Sequence, residues 1–286
     1  MHKVTLRNTI NLIEFFLPVI IQYYLKVSIR KIRTIKSNLY SSEITYRNRL
    51  LDQILDKSTI PYFLDIGASD GISNSNTYDL AKNKWSGLSI EGNNIKFKVL
   101  NRTLRHSNVK SVNEFVFSSN ISSVLRASGC QKEFDFLSLD IDSFEYSVLN
   151  QILIDFNPGL ICVEINERFP PPIIFHIKEG VDASLIKDAF YGFSIQAAYN
   201  VFKTHGYKIV GLHYNNVYAV PNLSHIPEVD IFKCYKAGYV NAINRKQFFY
   251  WNKSYDFLLE KEPQQIIHFF EEQFKGLEQY YNMHLN

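Results

Sequence analysis

From residue 60 onward, short apolar runs alternate with longer stretches that have helical spacing of their apolar positions. Apolar runs of this length are typical of strands buried on both faces, and the stretches between them are typical of amphipathic helices. The alternation predicts an α/β fold in which helices cover both faces of a mostly parallel sheet. The predicted strands are Tyr62–Ile66, Gly87–Glu91, Val109–Val112, Phe134–Asp140, Leu160–Ile165, Lys208–Tyr214 and Val217–Val220. The predicted helices are Asn76–Lys84, Asn94–Arg105, Phe144–Ile154 and Ser194–Thr204.

The last two predicted strands are joined differently from the others. The segment "YKIVGLHYNNVYAVPN" leaves only Asn215 and Asn216 between two β-rich runs. Asparagine tolerates positive φ, so this pattern predicts a tight antiparallel hairpin. The sheet is therefore expected to have seven strands and to end in a hairpin.

Both ends of the chain differ in pattern from this central part. Residues 10–25, "INLIEFFLPVIIQYYL", are apolar but interrupted by polar residues and by Pro18, which argues against a membrane-spanning helix. The next eleven residues, "KVSIRKIRTIK", contain basic residues and no acid. Two interpretations stay open: a helix packed on the domain, or peripheral contact of residues 10–36 with an anionic membrane surface.

The C-terminal tail is aromatic and has apolar positions at helical spacing, which predicts helices packed on the core or on a homodimer partner. An aromatic surface for a sugar is the alternative. The resulting domain prediction has three parts: an N-terminal helical and basic segment at 1–58, a central domain at 59–223, and a helical extension at 224–286.

Composition narrows the class of protein. Hydrophobic residues make up 46% of the 286 residues, which is enough for a large core. The net charge of +3 gives no reason to expect nucleic acid as a partner. The three cysteines are far apart in sequence, so neither a disulfide framework nor a zinc site is expected. With no signal-peptide pattern, these features predict a cytoplasmic protein.

The candidate chemistry lies at the ends of the predicted strands. Ligands of parallel sheets bind beyond the carboxyl ends of the strands, so these residues are interpreted as one site. Glycines there allow the backbone to approach a ligand closely, and Glu91 can accept hydrogen bonds from both hydroxyls of a ribose. The residues predicted to hold a cofactor after the first two strands are Asp65, Gly67, Ser69, Asp70, Gly71 and Glu91.

Two of these segments, "FLDIGASDGISNSNTYDL" and "WSGLSIEGNN", resemble the first nucleotide-binding motifs of Rossmann-like S-adenosylmethionine-dependent methyltransferases. Three further segments, "FDFLSLDIDSFEYSVLNQI", "LICVEINERFPPP" and "YGFSIQAAYNVFKTHGYKIVGLHYNNVYAV", resemble the FkbM-type branch of that superfamily. Ser143 departs from the glycine that is common at its position. The resemblance implies a Rossmann-like fold and S-adenosylmethionine as cofactor. It also implies that Asp65 and Gly67 lie under the methionine part, Glu91 at the ribose, and Asp140 near the sulfonium and the methyl acceptor.

Acidic residues after the fourth and fifth strands are the catalytic candidates. The segments "SLDIDSFEY" and "VEINER" are expected to bring Asp140, Asp142, Glu164 and Asn166 together, because their strands are neighbours in such a sheet. Four oxygen-bearing side chains suit Mg²⁺ or another hard divalent cation, which would activate an acceptor hydroxyl. Without a metal, one of the carboxylates Asp140, Asp142 and Glu164 would act as general base. The proline-stiffened insert at 168–194 is predicted to be a substrate lid.

Three functions therefore compete. The leading one is an S-adenosylmethionine-dependent methyltransferase, for which FkbM-type relatives suggest O-methylation of a sugar or secondary-metabolite hydroxyl, so that the partner is a small molecule or a glycan. The second is a non-catalytic binding module on the same fold. The third is a nicotinamide-dependent oxidoreductase, although the spacing of Gly67 and Gly71 differs from the G-x-G-x-x-G pattern of that class.

Overall fold

The computed structural model describes residues 38–55, 60–186 and 188–286. Within these residues the seven-stranded sheet contains β1 (Tyr62–Ile66), β2 (Ser86–Ile90), β3 (Asn108–Val112), β4 (Glu133–Leu139), β5 (Asn157–Glu164), β7 (Tyr207–His213) and β8 (Asn216–Pro221). A second sheet pairs β6 (Ile173–Ile177) with β9 (Tyr281–Leu285). The helices are α1 (Asn38–Ile54), α2 (Tyr78–Lys82), α3 (Asn94–Leu104), α4 (Ile121–Ser128), α5 (Glu145–Asp155), α6 (Ile195–Thr204), α7 (Ile231–Tyr235), α8 (Arg245–Phe248) and α9 (Pro263–Gln273).

The large sheet has the strand order β3-β2-β1-β4-β5-β8-β7. All neighbours from β3 to β5 pair in parallel, whereas β8 is antiparallel to both β5 and β7. The fold is therefore a Rossmann-like α/β fold with a terminal antiparallel hairpin, which confirms the predicted fold class. The order reverses between β1 and β4, so the carboxyl ends of these two strands flank the crevice where such sheets bind ligands.

Side chains alternate between the two faces of the sheet, as strand geometry requires. Phe63 packs on the face covered by α1, α2 and α3, and Leu64 packs on the face covered by α4, α5 and α6. Both faces are apolar, because helices exclude water from each of them. This explains why the strands are continuous apolar runs in the sequence.

The hairpin was predicted one residue too late. The loop consists of Tyr214 and Asn215, and Asn216 already pairs with His213. Tyr214 adopts φ of 56° and is held there from two sides. Its N–H donates to the carbonyl of Gly238 at 2.9 Å, and its hydroxyl donates to the carbonyl of Ile243 at 2.6 Å. Tertiary contacts thus place a tyrosine where the local preference favours asparagine.

Helix α1 belongs to the core of the described structure. Leu50 and Leu51 are buried against the sheet, and Arg47 is bound to Asp79 of α2 at 2.5 Å. Residues 1–37 lie outside the described residues, so the interpretation of residues 10–36 stays a prediction. The domain boundaries at 58 and 223 also stay a prediction. No described helix combines the length and the hydropathy that crossing a bilayer requires.

The C-terminal extension is helical, as predicted, but its last segment is a strand. Strand β9 runs antiparallel to β6 of the 168–194 insert. Beneath this pair lies a third apolar cluster that includes Phe169, Phe175 and Phe270. The insert is thus joined to the tail by a sheet and a shared core.

Candidate active site

A cleft of about 610 Å³ opens at the carboxyl ends of β1, β2 and β4. It lies at the reversal of the strand order, where the topology predicts a ligand. Among its lining residues are six of those selected from the sequence: Asp65, Gly67, Ser69, Glu91, Asp140 and Asp142. Six of the residues selected from the sequence therefore lie together along one cleft, and their roles stay predictions.

Gly67 sets how closely the loops after β1 and β4 approach each other. Its φ is +85°, and a Cβ on it would lie 1.6 Å from the carbonyl oxygen of Asp140. Any larger residue would push the two loops apart. The glycine is therefore needed to hold Asp140 beside the first turn.

Asp70 and Gly71 do not line the cleft, so their predicted role in binding the cofactor is not supported. Asp70 is buried, and its Oδ1 accepts from the backbone N–H groups of Ile72 and Ser73 at 2.9 and 2.7 Å. Gly71 has φ of +73°, and a Cβ there would meet Leu100 of α3 at 2.7 Å. Both residues shape the turn.

Glu91 is buried at the end of β2 and already holds two backbone donors. Its Oε2 accepts from the N–H of Ser69 at 2.8 Å, and its Oε1 accepts from the N–H of Asn93 at 2.7 Å. A carboxylate oxygen has two lone pairs, so each oxygen can still accept one hydroxyl. The same side chain therefore orders the turn after β1 and presents two acceptors to the cleft.

Asp65 is the penultimate residue of β1, and it is buried where it lines the cleft. Its Oδ2 accepts from the hydroxyl of Thr77 at 2.6 Å. Burial raises the pKa of Asp65 to about 6, against the opposing effect of the Thr77 hydrogen bond. A positively charged ligand group placed here would favour the ionised form.

Three carboxylates meet where β4 and β5 end. One oxygen each of Asp140, Asp142 and Glu164 lies within 4.8 Å of the other two. Desolvation, followed by repulsion from Asp142, raises the pKa of Asp140 to about 7. Desolvation and repulsion from Asp140 also raise the pKa of Glu164 well above its usual range. Because the two carboxylates repel each other when both are ionised, the pair is suited to holding one proton between them.

The loop that carries Asp140 and Asp142 is held by Glu145, the first residue of α5. Oε1 of Glu145 accepts from the N–H groups of Ile141 and Ser143, each at 3.0 Å. Asp142, and not Ser143, takes the left-handed conformation, with φ of 56°. Serine is accommodated at the common glycine position because the positive φ falls one residue earlier.

Asn166 does not join the carboxylates as a metal ligand. Its Nδ2 donates to the carbonyls of Ala189 and Tyr191 at 2.8 and 2.9 Å. Its Oδ1 faces Arg168, accepting from the backbone N–H at 3.3 Å and from Nη1 at 3.4 Å. The only atom of Asn166 that could bind a metal is thus engaged, and the residue instead fastens the insert to the end of β5.

A divalent cation would find an incomplete set of ligands here. The three carboxylates are hard oxygen donors of the right kind. Glu164 offers Oε2, which is buried and has no hydrogen-bond partner among the described residues. With Asn166 engaged, however, water or substrate would have to supply the remaining positions. If a cation binds, Asp140, Asp142 and Glu164 would hold it, and it would lower the pKa of a bound hydroxyl.

Sequence reasoning missed the part of the cleft that follows β3. Phe115 and Phe117 follow β3 and line the cleft, and Phe115 is 64% exposed. Glu114 and Lys96 complete the rim. Their signal in the sequence was weak, because they lie in a loop without a glycine motif. An exposed aromatic side chain beside Glu91 offers a flat apolar surface for a purine ring.

The insert reaches over this part of the cleft. Glu179 accepts from the backbone N–H and the hydroxyl of Ser118 at 2.5 and 2.8 Å. Val181 and Ile186 of the insert also line the cleft. The insert therefore covers one side of the site, while β6 anchors it to β9. His176 lies on β6 and stacks on Tyr146 with ring centres 3.9 Å apart.

No protein-family model matches this sequence, and no curated protein matches it either. Solved structures with a similar fold include magnesium protoporphyrin IX methyltransferase from Synechocystis PCC 6803 with bound SAH, at 10% identity, covering 70% of this chain and 96% of that chain with a TM-score of 0.41. An amino pentose methyltransferase from Micromonospora echinaspora has 12% identity, coverage of 68% and 96%, and a TM-score of 0.43. A SAM-dependent methyltransferase from Methanosarcina mazei has 14% identity, coverage of 60% and 96%, and a TM-score of 0.40. Likeness at this level carries no inference about function, which has to come from the site itself.

Proposed function

We propose that this protein is an S-adenosylmethionine-dependent methyltransferase. The observation that carries the proposal is the position of Glu91 and Asp140 in one cleft at the reversal of the strand order. Glu91 presents two acceptors suited to the ribose hydroxyls, and Phe115 presents a surface suited to adenine. Asp65 and Asp140 place negative charge where a sulfonium and an ammonium group would lie.

The topology favours this cofactor over a nicotinamide dinucleotide. In the dinucleotide fold all strands of the sheet are parallel and the first turn follows G-x-G-x-x-G. Here β8 is inserted antiparallel between β5 and β7, and the first turn has Gly67 and Gly71. In the dinucleotide pattern the glycines give the pyrophosphate close access to backbone; here Gly71 packs against Leu100.

The acidic cluster supports transfer to a hydroxyl group. For a hydroxyl to attack a methyl group, its proton has to leave, and a carboxylate with a pKa near neutrality is a suitable base. Asp140 meets this requirement. Glu164 lies close to it and shares the proton that the pair holds. Asp142 stands at the exposed side of the pair, where it can accept a hydrogen bond from the acceptor.

The finer assignment is to an FkbM-type enzyme that methylates a hydroxyl of a sugar or secondary metabolite. It rests on the resemblance of the segments around Asp140, Glu164 and the terminal hairpin. Among the described residues that line the cleft, five are acids and one, Lys96, is basic, which suits a neutral acceptor better than an anionic one.

Calorimetry with S-adenosylhomocysteine and with NAD⁺ tests the cofactor. Binding of S-adenosylhomocysteine without binding of NAD⁺ is expected, and the reverse result would overturn the proposal. A screen of hydroxyl acceptors with labelled S-adenosylmethionine then separates an enzyme from a binding module, because only an enzyme transfers the label.

A chelator distinguishes methyl transfer that uses a carboxylate base alone from methyl transfer that requires a metal ion. If Asp140 acts as the base without a metal, EDTA leaves the transfer rate unchanged. Loss of activity with EDTA and its recovery with Mg²⁺ or Mn²⁺ would instead assign the three carboxylates to a cation.

A further inference from the structure

A second cavity lies away from the cleft, beside the edge strand β7. It is a groove of about 880 Å³. One wall is α1, through Ser42 and Tyr46, and the opposite wall is formed by α7 and the segment that follows it. The proposed methyl transfer uses none of these residues.

The groove is mainly apolar and opens to the surface. Leu212, Ala237, Ala242 and Phe248 contribute to its lining. Ile243 at its rim is 79% exposed. Exposed apolar side chains that border an apolar groove are typical of surfaces that another segment covers.

The chain itself contains a segment with the complementary need. Residues 10–25 are predominantly apolar, and burying apolar side chains away from water is favourable. Neither the groove nor residues 10–25 take part in the proposed methyl transfer.

The chain connectivity brings them together. Helix α1 begins at Asn38, and Ser42 and Tyr46, within its first turns, already line the groove. Residues 26–37 separate α1 from the apolar segment and could span up to about 40 Å if extended. The described part of the chain therefore begins beside the groove, and residues 26–37 are numerous enough to connect the groove to the apolar segment.

Tethering decides between this segment and a second copy of the chain. A tether of about this length gives an effective concentration on the order of millimolar when its reach matches the span. A second copy at micromolar concentration competes at a disadvantage of about 10³-fold, because it offers the same apolar side chains at lower concentration. We infer that residues 10–25 dock in the groove between α1, β7 and α7.

Cysteine labelling in the full chain tests this inference. Ile243→Cys places a thiol at the rim of the groove, and Leu223→Cys places one at a fully exposed position outside it. Peptide mass spectrometry measures the rate at which each introduced thiol reacts with a maleimide. This rate is divided by the rate of the same variant in denaturant. We expect the normalised rate of the Ile243→Cys thiol to be about one tenth of that of the Leu223→Cys thiol, or lower. The reason is that the maleimide reaches the groove only when the docked segment opens.

Substitutions in the segment then show what covers the groove. Ile20→Asp in the Ile243→Cys background is expected to restore fast labelling, because a charge opposes burial. Gln22→Asp introduces the same charge at a polar position and should leave labelling slow; Ile20→Ser provides a second, uncharged test. Unchanged thermal melting of each variant shows that the fold is intact.

Several outcomes would overturn the inference. One is equal labelling of Ile243→Cys and Leu223→Cys, and another is an Ile20→Asp variant that remains protected. Protection that increases with protein concentration would assign the groove to a second copy. Protection that arises only with vesicles of anionic phospholipid would assign it to a membrane surface.

Discussion

Two carboxylates, Glu91 and Glu145, hold the backbone around the cleft, and Glu91 also lines it. Glu91 orders the turn after β1 through Ser69 while it offers acceptors to a ligand. Glu145 fixes the loop that carries Asp140 without lining the cleft. These contacts order the two acids, because backbone donors hold Glu91 and Glu145 before any ligand arrives. Preorganised acceptors lose little entropy when the ligand binds.

The first residue-scale prediction concerns Glu91. Glu91→Ala is expected to weaken binding of S-adenosylhomocysteine by about 1.5–3 kcal/mol, the range for hydrogen bonds to a charged group. Calorimetry measures this, with Glu133→Ala as a control at an exposed position on β4 outside the cleft. Unchanged affinity in a folded Glu91→Ala protein would remove Glu91 from the cofactor site.

The second concerns Asp140 and pH. As a base, Asp140 acts when ionised, so the transfer rate should rise with pH and level off above its pKa of about 7. Asp140→Asn should retain S-adenosylhomocysteine binding but lower turnover by about 10²-fold or more. Rate profiles from pH 5 to 9 check both statements. If Asp140→Asn turns over at the full rate, the cluster serves acceptor binding or structure.

The elements position these residues through contacts between distant parts of the chain. The insert between β5 and α6 lies over the cleft because β6 pairs with β9 and Glu179 binds Ser118. The first contact fixes its outer side, and the second holds its inner side against the loop after β3. The insert is thereby fastened at two places, and the Glu179 contact is the weaker because it consists of two hydrogen bonds at a partly exposed site.

At this scale we predict that Glu179→Ala loosens the cover of the cleft. Loss of two hydrogen bonds at a partly exposed site should cost about 1 kcal/mol, which corresponds to roughly fivefold faster dissociation of S-adenosylhomocysteine. Stopped-flow displacement gives the rate. Asp182→Ala is the matched control, since that carboxylate caps Ser184 within the insert. Equal dissociation rates for the two variants would mean that the Ser118 contact does not hold the cover.

At the scale of the whole molecule, described segments on both sides of the central stretch take part in the packing. Helix α1 packs on the face that also carries α2 and α3, and the tail builds the third apolar cluster with the insert. The site therefore depends on segments that lie outside the central stretch in sequence. A cytoplasmic location, peripheral membrane contact and a homodimer through the tail stay predictions.

The whole-molecule prediction is that removal of residues 1–36 preserves the fold and the affinity for S-adenosylhomocysteine. Every described residue of α1 remains, so the buried contacts of Arg47, Leu50 and Leu51 persist. Removal of residues 1–54 is the contrasting variant and should unfold the protein, since it strips one face of the sheet. Thermal melting and calorimetry decide. If the protein without residues 1–36 fails to fold, these residues belong to the core.

The sequence by itself determined the sheet, the hairpin and the position of Glu91 and Asp140. These features follow from local rules: apolar runs mark buried strands, and the carboxyl ends of parallel strands meet at one edge. Sequence patterns can therefore predict residues whose position depends on their neighbours in sequence. Asp65, Gly67 and Ser69 lie in the cleft for this reason.

Only the tertiary structure decided what depends on contacts between distant segments. It assigned Asp70 and Gly71 to the turn and Asn166 to the insert, and it moved the hairpin loop to Tyr214 because Gly238 and Ile243 hold that residue. It also raised the pKa values of Asp140 and Glu164, since burial and mutual repulsion arise after the strands are paired. Side-chain identity limits what a residue can do, and its surroundings in the folded chain select which of those roles it takes.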